Sequence, residues 1–185
     1  MSTLRLRLMR QEALQRLEDA RVLATASTSA FSNSAHLLSL LGFELLLKLV
    51  YELAVGSRAQ GHKYQALFAG LPSAVQQSLL NTASERIGPS SLSTVPEKVL
   101  SDWSDNFVKL RYPYEKYEGM TEVEYQRLGE EWVARDGPLE DATFRYHPEE
   151  LFGMLHALRT FAEDMANKPS HPTLGSGAAR LPSAG

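Results

Sequence analysis

With 185 residues, 43% of them hydrophobic and 22% charged, the chain can form one domain with a substantial core and has an ordinary globular composition. Its 19 basic and 22 acidic residues leave a net charge of −3, which argues against binding nucleic acid through a broad basic face. The chain has no cysteine, which excludes a disulfide scaffold, a thiolate zinc site and a cysteine nucleophile, and a cytoplasmic setting is expected.

The opening residues, Met1 to Arg10, lack the uninterrupted apolar stretch of a signal peptide. Leu14, Leu17 and Ala24 recur at helical spacing among polar residues and predict a first helix over 8–26. Arg5, Arg7, Arg10, Arg16 and Arg21 crowd this region as a solvated helix face. The Ser, Thr and Ala residues from Thr25 to Ser34 predict the end of that helix and the start of a second near Ser34. From Ser34 to Leu53 the sequence is apolar almost all round, as suits a central bundle helix. Glu44 and Lys48 interrupt it well short of the roughly 18 charge-poor residues of a membrane span, so no membrane association is expected. With Tyr51 and Glu52 they form one polar stripe, which either faces water or lines a polar pocket, and Glu44 precedes Lys48 in the favourable i,i+4 order.

Gly56 and Gly61 bracket a loop. A short helix is predicted from His62 to Ala69, stopped by Gly70, and another from Pro72 toward Glu85. Ile87 to Ser93 reads as a linker, and Thr94-Val-Pro-Glu97 matches a capping box. The helix that follows carries Leu100, Trp103, Phe107 and Leu110. It is expected to end at about Arg111, because Pro113 disfavours helical geometry at Tyr112. A second capping box, Thr121-Glu-Val-Glu124, opens an acidic helix, and Asp136-Gly-Pro138 is a turn. From Ala142 to His147, Phe144 and Tyr146 alternate with Thr143, Arg145 and His147. That is the period of a short strand, expected to pair with an extended Tyr112–Tyr117 segment. Pro148 opens the last helix, whose stripe is Leu151, Leu155, Leu158, Ala162 and Met165. Phe152, Met154 and Phe161 add apolar surface suited equally to a dimer interface or to packing against the N-terminal helix. Residues 1–167 thus read as a single all-α domain with a small non-helical or two-stranded patch, and 168–185 as a disordered tail.

No glycine-rich phosphate loop precedes a helix. His36, His62, His147, His156 and His171 show no metal-ligand spacing, so neither a metal nor a cofactor is expected. His156 reads as structural or exposed, and His62 as a residue near a helix terminus. Arg111 differs. Just past a helix end and flanked by Tyr112, Tyr114 and Tyr117, it offers a bidentate phosphate donor among stacking surfaces. Such chemistry suits a nucleotide or single-stranded RNA. The alternative is a structural arginine tied to Glu44, Glu52 or Glu115, with the tyrosines packing the bundle edge.

The order of features resembles the HEPN family of helical-bundle proteins. The stretches that carry the likeness are Ser34-Ala-His-Leu-Leu with Glu44-Leu-Leu-Leu-Lys48, then Gly61-His62, Leu67-Phe68 through Leu71-Pro72, and Asn106-Phe107-Val-Lys-Leu-Arg111-Tyr112. The resemblance spans roughly Ala13 to Met165. It implies a HEPN-like up-and-down helical bundle that forms a homodimer. The family's settings are prokaryotic toxin–antitoxin, phage-defence and RNA-processing systems, often beside a nucleotidyltransferase-type antitoxin partner. Active members are metal-independent endoribonucleases with an Arg-x4-6-His motif at the dimer interface. Here Lys116, Tyr117 and Glu118 occupy the expected histidine positions, with Glu115 just before them. An imidazole suits that role because its pKa lies near neutrality.

The resemblance without its histidine implies a dimeric binding or assembly module for RNA or a nucleotide, lacking efficient catalysis. Glu44, Lys48, Tyr112 and Tyr114 would line its ligand site. One alternative is a divergent endoribonuclease in which Arg111 holds the phosphate, Glu115, Tyr117 or His147 moves protons, and Glu44 orients the arginine. The other is a purely structural helical interaction protein.

Overall fold

The computed structural model describes residues 3–27, 32–138 and 141–167. The tail expected to be disordered lies outside the described residues. Eight α-helices follow one another among them: α1 (Thr3–Ala26), α2 (Asn33–Val55), α3 (Tyr64–Ala69), α4 (Ser73–Ile87), α5 (Ser91–Thr94), α6 (Pro96–Lys109), α7 (Glu122–Ala134) and α8 (Pro148–Asn167), with a 3-10 turn at Pro113–Tyr117. The all-α helical bundle expected from the sequence is therefore the architecture. No described helix is long and apolar enough to cross a membrane.

Helix α2 is the axis of the bundle, as its nearly continuous apolar sequence requires. Ser32 caps its start by accepting a hydrogen bond from the Ala35 amide, and Gly56 ends it with a φ of 76°, a left-handed conformation that favours glycine. Leu40, Phe43, Leu47 and Val50 are fully buried. Fully burying side chains of this size contributes about 1.5–3 kcal/mol each. Phe43 meets Tyr64 and Trp103 edge to face, at centroid distances of 5.2 and 5.0 Å.

Helix α1 runs antiparallel to α2. Gly42 lets them approach closely: a Cβ there would fall 2.7 Å from the Leu17 side chain and 3.2 Å from the Ala13 carbonyl oxygen. Beyond this crossing, Arg5 near the start of α1 grips Glu52 near the end of α2 through Nε and a terminal nitrogen, at 3.2 and 2.9 Å. Glu52 is almost wholly buried, so this bidentate pair supplies the partner that a buried carboxylate requires. Helix α8 packs on both α4 and α2.

Several local expectations are corrected. No strand occurs among the described residues. The 142–147 stretch is irregular, with a bend at Thr143 and Phe144, because its backbone bonds to α6 side chains instead of a neighbouring strand. Trp103 Nε1 donates to the Tyr146 carbonyl at 3.0 Å, and Asn106 Nδ2 donates to the Arg145 carbonyl at 2.8 Å. The Tyr112–Tyr117 partner is a 3-10 turn. Residues 91–94 form the short helix α5, which overlaps the end of the expected linker. The N-cap of α6 is Val95 and not Thr94, with Pro96 in the first helical position. The Thr121–Glu124 capping box does form. Of the apolar residues assigned to a dimer face, Met154 is fully buried in the core, while Phe152 is exposed.

Helix α7 stands apart. None of its side chains is buried, and Val123 and Val133 are 73% and 68% exposed.

Candidate functional site

The polar stripe of α2 does not face open water. At its N-terminal end Glu44 is buried, held there by the apolar residues on either side of it in the helix. Its Oε1 accepts from Lys48 Nζ at 2.7 Å, the i,i+4 contact expected from the spacing. The same oxygen lies 2.8 Å from Nδ1 of His62. Its other oxygen, Oε2, is buried and has no hydrogen-bond partner among the described residues. Such an atom is costly to leave unsatisfied and marks a place where a donor can be received.

His62 lies in the α2–α3 loop, one residue before the α3 N-cap Lys63, so α3 begins two residues later than the sequence suggested. The imidazole is 67% exposed even though its Nδ1 meets a buried carboxylate. Its ring stacks on Phe107 of α6 at 6.2 Å and 19°. Phe107 also carries the Arg111 guanidinium at 4.6 Å from its ring centroid. One phenyl ring therefore brings together a histidine and an arginine 49 positions apart in the chain.

Below this surface, Tyr64 is fully buried, with its hydroxyl donating to the Leu40 carbonyl across a long 3.4 Å. Burial first, and then the nearby Glu44 charge, push its phenol well above the ordinary value, while Arg111 pulls the other way. The tyrosine therefore remains a neutral donor. The feature that unites the site is a buried carboxylate with an exposed imidazole and two cationic side chains around it.

Arg111 is exposed and pairs with no carboxylate among the described residues; its Nε donates to the Phe107 carbonyl at 3.1 Å. The structural tie to Glu44, Glu52 or Glu115 is thus not made. Glu44 holds Lys48 and His62, Glu52 holds Arg5, and Glu115 lies exposed on the 3-10 turn. Tyr112 and Tyr114 are exposed and meet each other edge to face at 6.3 Å. Tyr117 is half-buried against Tyr125 of α7 at 4.9 Å.

His147 lies elsewhere. It is buried, with a φ of 46°, and its Nε2 contacts Asp102 Oδ2 at 3.0 Å. Asp102 lies seven positions before Lys109, the last residue of α6, which is about 10 Å of helical rise, and Arg111 lies beyond that end. Arg145 and Lys98 also reach Asp102, each at 3.4 Å. Burial would raise the Asp102 carboxyl, but the His147 hydrogen bond and the two cations bring it below its ordinary range. This cluster fastens the segment before α8 and is separate from the Arg111 patch.

Comparison with known proteins finds no matching family model, curated protein or solved structure. Among the described residues, no group of three or more His, Asp or Glu side chains could hold a metal ion. The geometry therefore carries the reading. The residue to which the sequence reading gave no site role is His62. It stands out there only as a helix-terminus residue and as part of the family-like Gly61-His62 stretch, and neither reveals that the loop returns onto Glu44.

Proposed function

We propose that this chain is a HEPN-like RNA-binding domain that cleaves phosphodiesters without a metal, with His62 supplying the imidazole absent from the positions after Arg111. A single observation carries this reading: the exposed His62 ring is held by the buried Glu44 carboxylate and shares the Phe107 ring with Arg111, which pairs with no carboxylate among the described residues.

The chemistry follows from the roles these groups can fill. Glu44 favours the Nδ1–H tautomer of neutral His62, which leaves Nε2 as a proton acceptor. Nε2 takes the proton of an RNA 2′-hydroxyl as that oxygen attacks the adjacent phosphorus. The phosphorus–5′-oxygen bond breaks, and the 5′-oxygen departs with the proton returned by the imidazolium. The products are a 2′,3′-cyclic phosphate and a 5′-hydroxyl. Arg111 faces the phosphoryl oxygens, and Lys48 adds positive charge beside them. Tyr112 and Tyr114 offer exposed faces for unpaired bases.

The test is cleavage of a mixed single-stranded RNA in EDTA by the wild type, His62→Ala and Arg111→Ala. Cleavage by the wild type that is lost in both variants supports the reading. Cleavage that survives in His62→Ala at the wild-type rate overturns the assignment of the imidazole.

A second reading is a binding module without turnover, favoured by the exposed Tyr112–Tyr114 pair beside Arg111. It predicts RNA retention that weakens in Arg111→Ala, with no product from any variant. Both readings place the domain in a defence, toxin–antitoxin or RNA-processing system, as a homodimer with a nucleotidyltransferase-type partner. Size-exclusion chromatography with light scattering tests the dimer.

A further inference from the structure

Near the other end of α2, a cavity of about 590 Å³ opens between α1, the start of α2 and the first half of α8. Its size falls within the roughly 300–1,000 Å³ of small-molecule sites. Leu17, Ala24, Leu151 and Leu155 form an apolar wall, and Arg21, Arg86 and Arg159 stand around it. Among the described residues no Asp or Glu lines this cavity, although acidic residues outnumber basic ones in the chain as a whole. The local charge is thus inverted relative to the protein.

The three arginines are not equivalent. Arg21 is held by Glu18 through two bonds of 2.9 and 2.7 Å, which fixes its fork and offsets its charge. Arg86 lies over the ring of Phe152 at 5.1 Å, and that ring is 53% exposed. Neither Arg86 nor Arg159 pairs with a carboxylate among the described residues. His36, buried at the floor, has its pKa lowered to about 4 by desolvation, so at neutral pH it adds a polar surface and no charge. An apolar wall with two uncompensated guanidinium groups beside it matches a ligand with an apolar body and one anionic end.

We infer that this cavity binds a small amphipathic organic anion, its apolar body against Leu17, Leu151 and Leu155 and its carboxylate or phosphate head between Arg86 and Arg159. The site shares no residue with the Glu44–His62 patch, so its test stands or falls independently of RNA binding.

Calorimetric titration with decanoate, decyl phosphate, decanol and inorganic phosphate, each below its aggregation concentration, separates the contributions of head and body. The expected result is saturable one-to-one binding of decanoate, decyl phosphate or both, with at least tenfold weaker binding of decanol and inorganic phosphate. Whichever amphiphile binds tighter identifies the head the site prefers. Arg86→Ala/Arg159→Ala, two exposed positions, should weaken the amphiphile at least tenfold while leaving the melting temperature nearly unchanged. Leu155→Trp, which fills the apolar wall, should abolish binding, with circular dichroism reporting that the helices persist. No saturable binding of either amphiphile, equal affinity for decanol, or undiminished affinity in the double variant would overturn the inference.

Discussion

Glu44 and His62 meet at 2.8 Å across eighteen positions of sequence, and their contact joins the bundle core to its surface. The carboxylate is buried while the imidazole is mostly exposed, so the pair presents to solvent a histidine oriented from beneath.

That relationship separates orientation from charge. His62→Ala and Arg111→Ala should each lower metal-free cleavage about 100-fold or more, the scale of a lost proton-transfer group or phosphate anchor. Glu44→Gln keeps the size of the side chain but removes its charge, so it should cut cleavage less than His62→Ala does. Single-turnover rates in EDTA measure all three. The exposed positions of His62 and Arg111 predict melting temperatures close to that of the wild type.

His36 makes stability depend on pH. Desolvation lowers its pKa from 6.5 to about 4 in the folded chain. Between those values the unfolded chain binds the proton and the folded chain does not, so acidification favours unfolding. The stability is fully present above about pH 6.5 and is progressively lost as pH falls toward 4, by an amount on the order of 3 kcal/mol. Urea melts at pH 7 and pH 4.5 should show this difference. In His36→Phe, which keeps a ring edge-on to Tyr146, it should largely disappear.

Trp103→Phe tests the clamp on the segment before α8. The substitution removes the indole donor to the Tyr146 carbonyl, at a cost of about 1–3 kcal/mol. The midpoint of urea unfolding should fall accordingly. Phe144 and Tyr146 should also gain solvent accessibility in footprinting.

Helix α7 should open locally. It has no buried side chain and relies on its capping box, in which Thr121 accepts from the Glu124 amide and Glu124 accepts from the Thr121 amide. Thr121→Ala should weaken the helix by about 1 kcal/mol. Hydrogen exchange of α7 amides should then speed up several-fold while the global melting temperature barely moves.

Much of this protein is legible in its sequence because the signals are local. The nearly all-apolar Ser34–Leu53 stretch identifies the buried axis, Thr121 and Glu124 identify a cap, and Glu44 with Lys48 identifies an ion pair on one face. Each depends only on residues within a turn or two of helix. The 142–147 stretch shows the limit of such reasoning. Alternation gives it the look of a strand, but strands exist through partners, and the α6 side chains of Trp103 and Asn106 take its carbonyls instead.

The sequence by itself determined a helical bundle built round α2 and placed Arg111 at a helix end among tyrosines. Only the tertiary structure decided which histidine accompanies that arginine. The expected places close behind Arg111 hold no imidazole, and His147 is taken up by Asp102. His62 reaches the site because the α2–α3 loop folds back onto a carboxylate buried in α2, and because Phe107, from a distant helix, carries the imidazole and the guanidinium on one surface. Contacts of this kind are set by how helices pack, and no local pattern of residues encodes them.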